Sequence, residues 1–140
     1  MSRLFFIALA LFMLCTSHAK AYEMTPQEQS CMTSALYHEA RGESDRGMFA
    51  VAAVIMNRTM EENFPDDVCG VITQKGQFTY DHKAKMKEWA AVTKVKSIVA
   101  AIQEGFEPVH PFVYFHSIHV LGQCSYKKNR IRIGNHYFCS

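Results

Sequence analysis

Residues 25–60 read TPQEQSCMTSALYHEARGESDRGMFAVAAVIMNRTM, and this stretch decides the fold because it predicts two successive helices. Thr25 is suited to cap the first helix, Pro26 fits its first turn, and Glu28 stands where a capping box places a carboxylate. Apolar side chains then recur at helical spacing. The pattern predicts a helix that continues to about Ala40.

The second helix follows almost at once. Gly42 ends the first helix, and Ser44 is a typical cap for another that begins at Asp45 and runs to about Met60. Its apolar positions form a wide face. Two helices this close in sequence are expected to pack against a shared core.

Two more helices are predicted further along the chain. Asp66 is expected to cap a short helix that reaches Ile72, and a long helix is expected from about Lys87 to Glu104. Apolar residues at helical spacing, with Trp89 as the first, predict the buried stripe of that long helix.

After Pro111 the pattern changes to the period of two that is typical of strands. Strands are predicted over residues 112–117 and 130–133, with more strand around Tyr137 and Phe138, whereas residues 77–80 suit a short strand or an extended loop. Helices followed by a small antiparallel β unit indicate the α+β class.

The N-terminus has the features of a secretory signal peptide. Arg3 precedes an unbroken apolar run from Leu4 to Leu14, and small residues flank Lys20. The run is too short to span a bilayer. We therefore expect residues 1–21 to be removed and residues 22–140 to form one exported domain, without stable membrane insertion.

Composition supports a single globular domain, since 49% of the 140 residues are hydrophobic and 20% are charged. The formal net charge of +2 comes from Arg3 and Lys20, both within the expected signal peptide. The basic run Lys127, Lys128, Arg130 and Arg132 is offset by acidic residues elsewhere, so it predicts a solvated hairpin or a surface for an anionic polymer. Because the chain is expected to be exported, we expect no nucleic acid partner. We expect a monomer.

Four cysteines remain after residue 21, which in a small exported chain predicts two disulfides. Four cysteines allow three pairings. We favour Cys31 with Cys69, which would join the first helix to the short one, and Cys124 with Cys139, which would close a loop around the basic run.

Glu39 is the most informative single residue. It follows Met32, Ala35 and Leu36 at helical spacing, so a carboxylate is expected on the apolar stripe near the helix end. Burial there would raise its pKa toward that of a general acid. The alternative is a structural ion pair with a nearby arginine.

The residues around Glu39 resemble a known family. Residues 37–43, YHEARGE, together with residues 50–58, AVAAVIMNR, are similar to the SleB-type cell-wall hydrolases, named for a spore-cortex-lytic enzyme. Matching pieces continue through residues 64–65, 68–72, 77–79 and 133–138. Residues 116–126 depart from the pattern, which leaves open whether muramic lactam is preferred.

The resemblance implies a lysozyme-like domain that cleaves peptidoglycan between N-acetylmuramic acid and N-acetylglucosamine, with Glu39 as the catalytic acid/base. It also implies the single-glutamate route of a lytic transglycosylase. A hydrolase would need a second carboxylate. Glu43, Asp45 and Asp81 are the candidates, although Glu43 is expected to be exposed or paired with an arginine.

Binding of a glycan needs aromatic faces and a few placed polar groups. The candidates for this role are Gln77, Phe78, Thr79, Tyr80 and Tyr114. Core positions for Phe78 and Tyr114 are the alternative.

The histidines suggest a metal site, but His116 and His119 make a weak motif, and we predict neither a metal nor another cofactor. His38 is expected to be exposed. Two other functions remain open: a metal-dependent wall amidase or peptidase, and a non-catalytic peptidoglycan-binding module.

Overall fold

The computed structural model describes residues 22–140, and the expected signal peptide, residues 1–21, lies outside them. Four helices precede three strands, which confirms the α+β prediction. The elements are α1 (Pro26–Ala40), α2 (Asp45–Thr59), α3 (Val68–Thr73), α4 (Trp89–Glu104), β1 (Tyr114–Ser117), β2 (Arg130–Ile133) and β3 (His136–Cys139). In residues 22–140, no helix has the length and apolarity that a bilayer crossing requires.

The start of α1 is fixed by the predicted capping box. The Glu28 N–H donates to Thr25 Oγ1 at 3.2 Å, and the Thr25 N–H donates to Glu28 Oε2 at 2.9 Å. Glu28 also accepts from the Val68 N–H at 3.2 Å and from the Tyr22 hydroxyl. One carboxylate thus caps α1 and ties it to the start of α3.

Helix α2 lies at the centre of the molecule and is buried from Gly47 to Arg58 apart from Phe49. The other three helices and the sheet all contact it. Fully buried side chains come from every one of these layers, among them Met32, Leu36, Met48, Ile55, Val68, Val95, Ile102 and Phe138. Burial of this continuous apolar core is the main stabilising contribution to the fold.

The sheet is antiparallel in the order β1-β3-β2, and the central strand β3 follows β2 through a tight turn that contains Gly134. Its attachment to α2 is polar. Asn57 Nδ2 donates to the carbonyls of His110 and Phe112, both at 2.9 Å, and Arg58 Nε donates to that of Val113 at 2.7 Å. These bonds hold the chain before β1 against α2.

The structure forms both disulfides that the sequence analysis favours. Cys31 in α1 bonds to Cys69 in α3, and Cys124 bonds to Cys139 in β3, with Cα–Cα distances of 5.4 and 5.5 Å. Each bond joins an element to a segment that packs beside it.

Several predicted boundaries were wrong by one or two residues. Strand β1 begins at Tyr114 rather than at residue 112, because the backbone of Phe112 is bonded to Asn57 and to His110 Nδ1. Asp67 rather than Asp66 caps α3, with its Oδ1 2.8 Å from the Gly70 nitrogen. Residues 77–80 form a loop, which is one of the two alternatives expected for them.

Helix α4 begins at Trp89, not at Lys87, since the N–H groups of Lys87 and Glu88 both donate to the Tyr37 hydroxyl at 3.1 Å. Trp89 itself is 81% exposed. The prediction that the buried stripe of α4 begins at Trp89 was therefore wrong. The first buried residue of the helix is Val95.

Candidate active site

Glu39 lies in the last turn of α1 and is half-buried. Burial raises the pKa of its carboxyl above the ordinary value. Within residues 22–140 it has no ion pair, and Arg41, one of the arginines nearest in sequence, instead pairs with Glu88 at 2.9 Å. The pKa of Glu39 is thus shifted in the direction that a general acid requires.

Glu39 faces an open depression of about 390 Å³, which we call the Glu39 cleft. One side comes from the end of α1 and the following turn, and the other from β1 and the turn between β2 and β3. The lining residues are His38, Glu39, Ala40, Arg41, Gly42, Glu43, Ser117, Asn135 and His136.

Glu43 also lines this cleft, but the expectation that it is exposed or bonded to an arginine was wrong. Its side chain is only 9% exposed. The Asn135 N–H donates to Glu43 Oε2 at 3.2 Å, and His136 Nδ1 lies 3.7 Å from Oε1. Helix α1 ends at Ala40, and the turn that follows carries Glu43 toward the sheet.

Two glycines make room for the Glu43 carboxylate. A Cβ on Gly134 would lie 2.0 Å from Oε2, and a Cβ on Gly47 would lie 2.7 Å from the Glu43 Cβ. Gly134 also has a φ of +57°, which favours glycine. Glu43 is therefore confined between α2 and the β2–β3 turn.

His136 is buried, with 9% exposure, and burial lowers its pKa, while the Glu43 charge opposes that shift. Sequence reasoning missed His136, Asn135 and Ser117 as cleft residues. A signal was present, because the resemblance to the wall hydrolases includes residues 133–138.

His38 is half-buried, not exposed as predicted. Its ring stacks on that of Tyr80 with centroids 4.5 Å apart and planes at 17°, and Tyr80 lies 4.5 Å from His82. Burial raises the pKa of Tyr80, and the charge of Glu39 adds to the shift. The predicted binding residue Tyr80 is thus beside the cleft.

The other predicted binding residues divide into two groups. Gln77 and Thr79 are exposed on the same loop as Tyr80. Phe78 is 5% exposed and packs 6.1 Å from Phe115, so it is a core residue and offers no face to a sugar. Tyr114 does not line the cleft but lies against Phe64, at 6.2 Å.

Asp45 and Asp81 do not lie in the lining of the cleft. Asp45, with a side chain 68% exposed, pairs with Lys94 at 3.3 Å. Asp81 Oδ1 accepts from the Lys83 N–H at 2.9 Å. Of the three candidates for a second carboxylate, the structure brings only Glu43 to the cleft that Glu39 faces.

The histidines do not assemble a metal site in the part of the chain that the structure describes. Across residues 22–140, no group of three or more His, Cys, Asp or Glu side chains is arranged to hold a metal ion. His116 Nδ1 instead lies 2.8 Å from the Ser117 carbonyl.

Residues 42–139 match the family model described as Cell Wall Hydrolase. The chain belongs to this cell wall hydrolase family. The match begins three residues after Glu39, so the assignment of that glutamate rests on its geometry and on the resemblance of its surroundings.

Spore cortex-lytic enzymes are among the relatives of this family member. The protein from Bacillus cereus is 34% identical over 110 residues, which cover 77% of this chain and 42% of the relative. That from Bacillus subtilis is 33% identical over 114 residues, which cover 77% and 36%. The chain therefore spans less than half the length of these relatives.

Two solved structures share its fold. The catalytic domain of the germination-specific lytic transglycosylase SleB from Bacillus anthracis has a TM-score of 0.68 at 29% identity, covering 86% of this chain and 98% of that domain. The catalytic domain of Bacillus cereus SleB has a TM-score of 0.67 at 29% identity, covering 84% and 92%. The matched region thus covers almost the whole of each catalytic domain.

Proposed function

We propose that this cell wall hydrolase is an exported lytic transglycosylase that cleaves peptidoglycan between N-acetylmuramic acid and N-acetylglucosamine. The observation that carries the proposal is Glu39, a half-buried carboxyl with a raised pKa and no ion pair among residues 22–140, facing an open cleft. The relatives described as cortex-lytic enzymes and lytic transglycosylases support the same reaction.

Glu39 acts twice in this reaction. Its protonated carboxyl donates a proton to the glycosidic oxygen as the bond from that oxygen to C1 of the muramoyl residue breaks. The oxygen of the muramoyl 6-hydroxyl then bonds to C1 and gives its proton to the Glu39 carboxylate. The products are a free 4-hydroxyl and a 1,6-anhydromuramoyl end, no water is consumed, and the acid form of Glu39 is restored.

Glu43 is poorly suited to act as the second carboxylate of a hydrolase. Its Oε2 is bonded to the Asn135 N–H, and its Oε1 faces His136. Two glycines confine its side chain. A nucleophile or a base for water needs a free oxygen directed at the substrate, so the confinement of Glu43 favours the single-glutamate route.

The glycan is held beside Glu39 by the loop that follows α3. Tyr80 stacks on His38, which also lines the cleft, while Gln77 and Thr79 are exposed on the same loop. These side chains supply an aromatic edge and polar groups for hydrogen bonds to sugars. Phe78 supports the loop from the core.

Export follows from the signal peptide expected over residues 1–21, and the two disulfides suit an oxidising compartment. The enzyme acts on its polymer outside the cytoplasm as a monomer.

The test is mass spectrometry of the fragments that the purified exported protein releases from sacculi. We expect 1,6-anhydromuramoyl ends, unaffected by EDTA. Glu39→Gln keeps the shape of the side chain but has no transferable proton, so release should fall by about 10²–10⁴-fold. Glu62→Gln, which changes an exposed carboxylate outside the cleft, is the matched control.

Each competing function predicts a different result. Reducing muramoyl ends would identify a muramidase, and free peptides together with loss of activity in EDTA would identify a metal-dependent amidase or peptidase. If the protein sediments with sacculi but releases no soluble fragments, it is a binding module. Near-parental release by Glu39→Gln would remove Glu39 from the mechanism.

A further inference from the structure

A second depression, of about 560 Å³, adjoins the Glu39 cleft. We call it the basic bay, and its lining residues are Tyr37, His38, Arg41, Ala84, Lys85, Lys87 and Glu88. His38 and Arg41 line both depressions. A ligand whose scissile bond lies at Glu39 can therefore extend a side branch past these two residues into the bay.

The bay is built on a fixed frame. The Tyr37 hydroxyl accepts from the N–H groups of Lys87 and Glu88, which holds this segment against α1. Arg41 donates to Glu88 Oε1 at 2.9 Å and to the Tyr37 carbonyl at 3.2 Å, above the Tyr37 ring. Glu88 therefore has a counter-ion in Arg41.

The free charge of the bay is positive. Lys85 and Lys87 are exposed, and neither forms an ion pair with any residue in 22–140. Lys83 is exposed beside them, and the Asp81 carboxylate accepts from its N–H. Lys83 is not part of the lining. Arg41 pairs with the single lining carboxylate, Glu88, so Lys85 and Lys87 remain as two unpaired cations and the bay favours an anionic ligand.

We propose that the basic bay binds carboxylates of the stem peptide and makes peptide-substituted glycan the substrate class of this enzyme. The inference rests on the proposed function, because it places the scissile bond at Glu39. In a peptide-bearing strand the lactyl carboxyl of each muramoyl residue forms an amide with the peptide, so the N-acetylated sugars are uncharged and the free carboxylates belong to the peptide. Lysine ammonium groups on flexible stems suit such a mobile partner.

The basic run at Lys127, Lys128, Arg130 and Arg132 is the competing surface for the same carboxylates. Arg130 is already engaged, with Nη1 3.1 Å from the Cys124 carbonyl and its guanidinium over the Tyr137 ring. None of these four residues lines the Glu39 cleft or the bay. The bay is therefore the better-placed surface for a peptide at the cleavage point.

The test compares two soluble glycan substrates, one with and one without stem peptides. An amidase removes the peptides from the second substrate, and the lactyl carboxylates that this hydrolysis exposes are then converted to uncharged methylamides. The ratio of kcat/KM for peptide-bearing over peptide-free strands is measured for the parent, for Lys85→Gln/Lys87→Gln and for Lys127→Gln/Lys128→Gln. We expect the parent to favour peptide-bearing strands by about tenfold or less, since exposed ion pairs are weak. The preference should decline with added salt.

The bay variant should lose most of this preference, and the variant at residues 127 and 128 should keep it. Amidation of the peptide carboxylates should abolish the preference of the parent. The inference is overturned if the parent does not distinguish the substrates, if the bay variant keeps the full ratio, or if the variant at 127 and 128 loses it instead.

A binding arm separates this inference from the proposed function. Glu39→Gln is titrated with both strands, so that affinity is measured without turnover. Glu39→Gln should bind peptide-bearing strands more tightly than peptide-free strands, and this difference should disappear in Glu39→Gln/Lys85→Gln/Lys87→Gln. Such a result supports peptide binding by the bay even if no anhydro product forms. Equal affinity for both strands would contradict peptide binding by the bay, whatever products the parent enzyme releases.

Discussion

Glu43 Oε1 lies 3.7 Å from His136 Nδ1, in a contact that joins the turn after α1 to the first residue of β3. The two residues are 93 positions apart in the sequence, and both side chains are largely buried. Both residues line the Glu39 cleft. We infer that Glu43 is a structural carboxylate that helps to shape the cleft.

The first prediction concerns the stability that Glu43 supplies. Glu43→Ala should lower the free energy of unfolding by about 0.5–1.5 kcal/mol, because the hydrogen bond from the Asn135 N–H to the carboxylate is lost. Urea denaturation at neutral pH measures the change. Glu62→Ala, at an exposed carboxylate, is the control and should change stability little. Equal stability of both variants would contradict the structural role of Glu43.

The second prediction concerns Gly134. Gly134→Ala should destabilise the protein because its φ of +57° disfavours a side chain and because the new Cβ would lie 2.0 Å from Glu43 Oε2. Gly76→Ala separates the two effects, since Gly76 has a φ of +80° but open space around a Cβ. Backbone strain alone costs about 1–2 kcal/mol. Gly134→Ala should cost clearly more than Gly76→Ala in the same denaturation experiment.

The double variant Glu43→Ala/Gly134→Ala tests why Gly134→Ala should lose more stability than Gly76→Ala. The loss should then be smaller than the sum of the two single losses, because the clash disappears with the carboxylate. Strictly additive losses would show that the side chain of Glu43 does not oppose a Cβ at position 134.

The sequence predicts local features of this fold better than distant ones. The caps Thr25 and Ser44 place the starts of α1 and α2 correctly, because capping depends on residues within one turn. The position of Glu43 was missed since its partners Asn135 and His136 lie at the other end of the chain. The start of α4 was wrong for the same reason, as the Tyr37 hydroxyl takes the N–H groups before Trp89.

The candidate site follows the same rule. Glu39 could be found from helical spacing and from its neighbours in the sequence, because both signals are local. The basic bay could not, since Arg41 and Lys87 come together only through the packing of residues 84–88 on α1. Phe78 has the composition of a sugar-binding residue, but its burial decides otherwise.

The third prediction concerns acid stability and His110. The Phe112 N–H donates to His110 Nδ1 at 3.1 Å, and Nε2 lies 2.9 Å from the Ala50 carbonyl, so the ring is held neutral with its proton on Nε2. Burial lowers the pKa of His110 below its ordinary value of 6.5. The unfolded chain therefore binds a proton before the folded chain does, and stability from this group is lost as pH falls from about 6.5 through the folded pKa.

Two measurements check this third prediction. In NMR titrations the ring signals of His110 should reach their midpoint below pH 6.5, because its pKa is lowered. In urea denaturation, His110→Gln should be less stable at neutral pH and should lose less additional stability between pH 7 and pH 5 than the parent. His82→Gln, at an exposed ring, should keep the parental slope. A parental slope in His110→Gln would contradict the assignment.

The last prediction concerns the stability that the enzyme loses by keeping Glu39 in its cleft. Burial raises the folded pKa of Glu39 above its unfolded value, so the contribution of this group to stability is present at low pH and is lost as pH rises through the folded pKa. Glu39→Gln stays neutral at every pH and should therefore match the parent at pH 4 and exceed it in free energy of unfolding at pH 8. Urea denaturation at both pH values measures the difference, with Glu62→Gln as the control for loss of a charge. A variant that is less stable than the parent at pH 8 would show that the Glu39 carboxylate has a charged partner in the fold, and its role as a free general acid would then be contradicted.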